Sequence, residues 1–480
     1  MQKFLFFVCA LLVSANSSGL DLVIKNGRVM DPASGLDGIR HIGIEAGRIV
    51  AVSETRLSAP TEIDAKGLVV APGFIDLHAH GQDPRSNLFQ VQDGVTTAIE
   101  GEIGVLPVDK WLASREGKSR PNYGATAGHL AARIELLLGR EVGNPIFLDA
   151  DIRNDTTVDY ANTKLEGTDV DRLVALLDAG VTNGGLGIGI GATYTPGASH
   201  EELFRLFKLA AKKDVPIFVH IRQARYMGGD LLAPLQEMLA NAAATGASLH
   251  VVHINSSLDR QVRTGMEMIR GAVAQGHDVT TEAYPYTAGS TRIESALFDD
   301  YEGDLSQLQW TLTGERLTQE TFAEFRKIGG WVILHGRDEE TNTWITAQPD
   351  VMVASDGVPF IGDASHPRGA GTFARVLGHY ARDLGALELM AAIRKMTIDP
   401  ARRIEQSAAS MKRKGRVSVG ADADIVVFSA EDILDQATYS LPARPSMGIV
   451  HVLVNGEFVV RDGELKEDAF PGRPIRSEKK

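Results

Sequence analysis

Among the 480 residues there is a single cysteine, Cys9, and it lies inside a short apolar stretch near the N-terminus. No disulfide can form within the chain, and loss of that stretch would leave no thiol nucleophile. Dense runs of lysine and arginine are also missing, and the net charge is −13. Phosphate backbones and anionic bilayers are bound by clustered positive charge, so nucleic acid and acidic membrane surfaces are poor partners for this chain. No internal repeat, low-complexity tract or second long apolar segment occurs. The glycine-rich run at 184–191 lacks the spacing and the lysine of a phosphate loop, and reads as close backbone packing.

Met1-Gln-Lys3 and the apolar residues 4–13 form a positive region followed by a segment too short to span a bilayer. Val13-Ser-Ala15 then offers small residues for cleavage, most simply after Ala15. The pattern predicts a secretory signal and an exported protein, periplasmic or secreted, with no membrane attachment once the signal is removed. A disordered or membrane-anchoring N-terminus is the alternative, and Cys9 lacks the small residues that precede a lipid-bearing cysteine.

A pair of histidines two residues apart carries the most chemistry. In the run Ala71-Pro-Gly-Phe-Ile-Asp-Leu-His-Ala-His80 they close an apolar strand. Alternation along a strand turns His78 and His80 toward the same point, as a divalent metal requires. Taken singly, such a pair is as easily exposed or hydrogen-bonded. His220, however, closes Val215-Pro-Ile-Phe-Val219, His253 follows the strand-like Leu249-His-Val-Val252, and Asp356 closes Val351-Met-Val-Ala-Ser355. In a parallel β/α barrel such strand ends converge on one face, where active sites are built. Core histidines or a turn aspartate would share no common location.

These ligands in this order resemble the amidohydrolase superfamily. A further set of motifs narrows the likeness to the D-aminoacylase branch, the N-acyl-D-amino-acid deacylases: the 184–194 segment, Val219-His-Ile-Arg222, Tyr284-Pro-Tyr-Thr-Ala-Gly-Ser-Thr291, Ala354-Ser-Asp-Gly357, His366-Pro-Arg368 with Gly371-Thr-Phe373, and Arg394-Lys-Met-Thr397. The likeness spans roughly residues 22–476. It implies a (β/α)8 TIM-like barrel, one or two metal ions, zinc foremost, and a small-molecule substrate bearing an amide and a carboxylate. It also implies substrate contacts from Tyr194, Tyr284, Ser290 and Arg368, the last a guanidinium suited to a carboxylate.

Two departures stand out against that family. Where the deacylases carry a cysteine ligand, near Ile103, this chain reads Ala98-Ile-Glu-Gly-Glu-Ile-Gly104, and no lysine stands in 186–192 to bridge two metals in its place. Glu100 or Glu102 is the natural substitute; both share one strand parity, and Glu102 lies nearer the strand's end. Asn255 stands where those enzymes tend to carry a substrate-binding lysine. His129, Arg133, Arg222 and His335 end or follow strand-like runs and are candidates for the pocket wall or for structure.

Strand-like runs at 20–30, 42–52 and 67–70 return in pattern at 423–428 and 449–456, so both ends of the chain are expected to build one small β-sandwich. The predicted organisation is a signal and leader at 1–19, the first part of the sandwich at 20–70, the barrel at 71–410 and the second part of the sandwich with a tail at 411–480. Helical stretches are expected at 201–213 and 386–396. About nine candidate strands compete for the eight places of a closed barrel, with Trp331-Val-Ile-Leu334 a candidate for exclusion.

The resulting expectation is a metal-dependent amide hydrolase that deacylates N-acyl-D-amino acids. Asp356 serves as proton carrier, and His78, His80, Glu100 or Glu102, His220, His253 and Asp356 surround the metal. A cyclic-amide hydrolase of the dihydroorotase or hydantoinase kind, or a dipeptidase for unusual linkages, is the enzymatic alternative. A barrel used only as a binding scaffold is the non-enzymatic one, although a scaffold has no physical need for four histidines and an aspartate at strand ends. Acyl group, side chain, stereochemistry and oligomeric state, self-association included, stay open.

Overall fold

The computed structural model describes residues 19–148, 152 and 158–479; the expected signal segment lies outside the described residues. Eight parallel strands form one sheet in chain order: Phe74–Asp76, Val95–Val105, Asn122–Gly128, Ile188–Gly191, Ile217–His220, Leu249–Val251, Val279–Ala283 and Val351–Val353. Helices alternate with them, as expected for a parallel sheet whose strands are joined by crossovers. The first and last strands meet through a parallel bridge between Ala79 and Gly357. Beside it the buried carboxylate of Asp76 accepts hydrogen bonds from the Ser355 amide at 3.0 Å and the His78 amide at 3.1 Å. The sheet is thereby a near-closed barrel, and its junction holds the segments bearing His78 and Asp356.

The glycine run packs as anticipated: a Cβ on Gly189 would sit 2.4 Å from Thr126 Oγ1 and 2.5 Å from the Glu102 carbonyl oxygen. Only a residue without a side chain lets the strands approach there.

Both ends of the chain enter one nine-stranded mixed sheet, the small β-sandwich beside the barrel. Ile425–Phe428 runs antiparallel to Val69–Pro72 and joins the C-terminal strands to the N-terminal ones. The ninth candidate barrel strand, Trp331–Leu334, lies elsewhere: it is the middle of a three-stranded antiparallel sheet with Gly289–Arg292 and Leu308–Trp310, inserted between the last two barrel strands. The helix expected at 386–396 is shorter, Leu389–Met396. Gly385 is left-handed (φ 58°) and Glu388 is extended, so the helix cannot begin earlier.

Helix His200–Lys213 shows how local sequence and barrel packing agree. The Ser199 hydroxyl caps its N-terminus by accepting from the Glu202 amide at 3.1 Å, glutamates occupy the first turn and lysines the last. Leu203, Leu206, Phe207 and Ala210 form its buried face. Glu202 is buried with them and receives the Arg133 Nη1 donor at 2.7 and 2.8 Å and the His129 Nε2 at 2.7 Å. Arg133 in turn donates to the Tyr160 and Thr163 carbonyls. His129 and Arg133 are therefore structural, holding the loop at 160–163 against the barrel. Glu202→Gln keeps the shape but leaves the buried guanidinium without its counter-charge, and is expected to cost about 1 to 3 kcal/mol in unfolding free energy. Denaturant titration beside the parent protein measures it; an unchanged midpoint would show the ion pair to be energetically idle.

Candidate metal centre

The C-terminal ends of five barrel strands converge on one buried cluster. His78 and His80 follow the first strand, Glu102 lies in the second, His220 ends the fifth, His253 follows the sixth and Asp356 follows the eighth. Donor atoms of His78, His80, Glu102 and Asp356 all lie within 4.8 Å of one another, and those of Glu102, His220 and His253 do likewise. Glu102 belongs to both groups. One of its oxygens stands 2.6 Å from His78 Nε2 and 3.2 Å from His80 Nε2, and the other 2.9 Å from His220 Nδ1. His253 Nε2 is 3.8 Å from the first oxygen.

Glu100 has the same parity but stands behind the cluster, its two oxygens each 3.0 Å from His80 Nδ1. Pairing between the second and third strands shifts register between Glu100 and Val105, which carries Glu102 forward to the point of convergence. His253 and Asp356 both adopt positive φ, 31° and 50°. Non-glycine residues rarely hold that conformation, and such strain gathers where side-chain aim matters.

A ring nitrogen with its hydrogen committed on one side presents a lone pair on the other. Glu282 lies 2.6 Å from His78 Nδ1, so that nitrogen donates to it, and Glu100 takes the matching hydrogen of His80. The two Nε2 atoms then face each other at 3.0 Å, with one Glu102 oxygen 2.6 Å from that of His78 and 3.2 Å from that of His80. Three such atoms repel unless a proton or a metal ion lies among them. Burial opposes charge on His78, but Asp356, Glu282 and Glu102 overcome it and raise the imidazole to about 10, and His80 rises well above its ordinary value. His253, by contrast, is driven down to about 3 by burial and by His220, leaving a neutral ring. The donor set of nitrogen and carboxylate oxygen fits a divalent ion such as zinc, which satisfies the same demand for positive charge.

Two clefts open beside this cluster and share Tyr194, Ser290, Thr291 and Asp356. Arg368 is buried; its Nη1 is 2.8 Å from an Asp356 oxygen and its Nη2 donates to the Ser290 carbonyl at 3.1 Å. Against burial, Arg368 and His78 hold the Asp356 carboxyl well below the usual carboxylate range. The Tyr284 ring lies under the Arg368 guanidinium at 4.7 Å, and Tyr194 packs edge-on to His220 at 5.2 Å while its hydroxyl meets Thr291 at 3.1 Å. The Ser290 hydroxyl is buried without a partner. All four expected substrate-side residues thus border the cluster. Arg222 also reaches the cleft wall but is paired with Glu237 at 2.9 Å, and the His335 ring meets Gln309 at 2.9 Å.

Sequence reasoning missed Glu282 and His250. Glu282 bridges His78 Nδ1 and His250 Nε2, at 2.6 and 3.0 Å, and His250 Nδ1 meets the Thr280 hydroxyl at 2.8 Å. A buried acid in Thr280-Thr-Glu-Ala-Tyr284 was the available signal, because an interior carboxylate needs partners.

Comparison with known proteins gives the same picture. A family model described as "Amidohydrolase family" matches residues 61–460. The N-acyl-D-glutamate deacylase of Alcaligenes xylosoxydans xylosoxydans is 31% identical, covering 95% of this chain and 96% of the relative. The D-aminoacylase of the same organism is 28% identical, covering 96% and 97%. Among solved structures, the N-acyl-D-glutamate deacylase of Bordetella bronchiseptica, complexed with zinc and a phosphonate inhibitor that mimics the tetrahedral intermediate, superposes with a TM-score of 0.80 at 27% identity, covering 95% of this chain and all of that one (100%). A D-aminoacylase crystal structure does so with a TM-score of 0.78 at 26% identity and the same coverages, 95% and 100%.

Proposed function

This chain belongs to the amidohydrolase family, in its D-aminoacylase branch, and is a metal-dependent hydrolase of amide bonds; from that premise we propose that it removes the acyl group from N-acyl-D-amino acids. The observation that carries the reading is the convergence of two groups of metal donors, which share Glu102, with Arg368 buried against Asp356 on the substrate side. His78, His80, Glu102 and Asp356 would hold one zinc ion, and Glu102, His220 and His253 a second. Such an ion lowers the pKa of a bound water toward ~7 and polarises a carbonyl oxygen.

The protein's own residues supply the rest. Glu282 and Glu100 fix the orientation of His78 and His80 through their outer nitrogens. Asp356, kept ionised by Arg368 and His78, takes the proton of the water that adds to the amide carbon. It returns that proton to the amine nitrogen as the carbon–nitrogen bond breaks, leaving a carboxylic acid and a free amino acid. Tyr284, Ser290 and Arg368 line the side on which the substrate's carboxylate would rest.

Arg368→Met removes a charge-assisted contact worth roughly 1.5 to 3 kcal/mol, so KM for carboxylate substrates is expected to rise about ten- to a hundredfold. A guanidinium that grips a carboxylate would by itself act mainly on binding. The 2.8 Å approach of Arg368 to Asp356 changes that expectation, because the variant also loses the charge that keeps Asp356 ionised, and kcat should fall as well. An unaltered KM for N-acyl amino acids alongside a wild-type kcat would remove Arg368 from the site.

Metal analysis followed by amine-release assays on N-acetyl-D-amino acids, N-acetyl-L-amino acids and cyclic amides tests the whole reading. Release from the D-acyl series is expected. Turnover confined to ring amides would replace it with the cyclic-amide alternative, which Asn255 in place of a lysine makes the nearest competitor.

A further inference from the structure

Asn255 cannot serve as a charge: its Nδ2 donates to the Tyr284 carbonyl at 3.0 Å and to Asn342 Oδ1 at 2.9 Å, so the side chain is buried and tied down. A different cation reaches the same neighbourhood. Arg337 follows Trp331–Leu334, the strand that lies outside the barrel, and its Nη2 donates to the Tyr284 hydroxyl at 2.7 Å while Nη1 reaches Ser256 Oγ at 3.3 Å. Its guanidinium carbon is 5.2 Å from the centre of the Tyr284 ring, and that of Arg368 is 4.7 Å from the same centre. Both arginines line one cleft of about 360 Å³ together with His220, His253, Ser290 and Asp356.

The two guanidinium groups differ in one respect. Arg368 has Asp356 as a counter-charge at 2.8 Å, whereas no carboxylate among the described residues lies within ion-pair distance of Arg337; the buried Nε of each lacks a hydrogen-bond partner. A partly buried guanidinium without a counter-ion, in one cleft with a buried serine hydroxyl that has no hydrogen-bond partner, is an arrangement that an anionic ligand completes. The backbone keeps the approach open: a Cβ on Gly289 would stand 3.1 Å from the Tyr284 hydroxyl and 3.5 Å from Arg337 Nη1.

We propose that Arg337 is a specificity-determining residue that receives the substrate's carboxylate across the Tyr284 hydroxyl from Arg368, supplying from the inserted sheet the positive charge that Asn255 lacks. The inference rests on the N-acyl-amino-acid reading and narrows it: the enzyme takes substrates with a free carboxylate and discriminates against their neutral amides, with the charge of Arg368 divided between Asp356 and the ligand and that of Arg337, whose partners Tyr284, Ser256 and the Tyr286 carbonyl are all neutral, left for the ligand.

The test compares Arg337→Gln, which keeps a donor to Tyr284 without the charge, and Arg337→Lys, which keeps the charge, in zinc-loaded protein with N-acetyl-D-leucine and N-acetyl-D-leucinamide. Arg337→Gln should raise KM for the acid about ten- to a hundredfold, the effect of one charge-assisted contact, with kcat, metal content and the KM for the amide little changed. Arg337→Lys should recover a large part of the loss. An unchanged KM for the acid, or an equal rise for acid and amide, would overturn the assignment, as would a lysine variant no better than the glutamine one. If the wild-type enzyme hydrolyses neither compound, the deacylase reading fails on its own. Calorimetric titration with N-acetyl-D-leucine then still tests the anion site: binding weakened at least about tenfold by Arg337→Gln sustains it, and equal or absent binding in both proteins overturns it.

Discussion

Asp356→Asn is expected to lower kcat by about a hundredfold or more, the usual worth of a positioned general acid–base, while KM for carboxylate substrates stays within a few fold or falls. The fall in rate follows from the loss of the one carboxylate among the described residues that touches both the metal donors and the arginine at the substrate side. It is 3.5 Å from His78 Nε2, 3.4 Å from His80 Nε2 and 2.8 Å from Arg368 Nη1. Asparagine can still offer an oxygen to a metal but cannot carry a proton at neutral pH. The preserved binding follows from Arg368, which loses its internal counter-charge and becomes freer to meet the ligand's carboxylate. Steady-state kinetics with a metal count on the same preparation separates the two effects. A variant with intact kcat would show that another group moves the proton, and one whose activity loss tracks metal loss would make Asp356 a ligand first.

The second large effect is expected at Glu102. Glu102→Gln removes the negative charge shared by both donor groups, leaving an amide 2.6 Å from His78 Nε2 and 2.9 Å from His220 Nδ1. Partners that only orient a ligand are worth roughly ten- to a hundredfold in metal affinity, so a shared ligand should cost at least the upper end of that range, with activity lost in proportion. Glu100→Gln is the matched control. Its carboxylate orients His80 from the outer nitrogen, so the variant should weaken metal binding by about ten- to a hundredfold and recover activity when metal is supplied in excess. Metal per chain after dialysis, then activity across a zinc titration, distinguishes them. If both variants keep the parent's stoichiometry, the carboxylate substitution for cysteine is refuted, and the two groups must be completed by other donors.

The expected site was legible largely because its members obey a local rule. A side chain at the C-terminal end of a barrel strand faces the active-site mouth whatever else the chain does, and an apolar run followed by a histidine or aspartate marks such an end. His78, His80, His220, His253 and Asp356 all follow that rule, and the structure brings all five to one cluster. The (β/α)8 barrel and the joined ends of the sandwich were legible for a similar reason, since alternation and strand–helix succession are written within a dozen residues. The strand surplus was not, because Trp331–Leu334 has the composition of a barrel strand and only its antiparallel partners exclude it.

What the sequence alone determined about this protein is therefore the kind of donors, their place at strand ends, and the departures at Glu100, Glu102 and Asn255. Only the tertiary structure decided between the two glutamates, since they share a strand parity and differ by a register shift against the neighbouring strand. It alone paired Glu282 with His78 across 204 residues of sequence, Arg368 with Asp356, and Arg337 with Tyr284 across 53. The physical reason is that periodicity records which way a side chain leaves its own strand, while the atom it meets depends on how distant segments pack. An ionisable group's charge and role are fixed by that meeting, through burial and the nearest opposite charge.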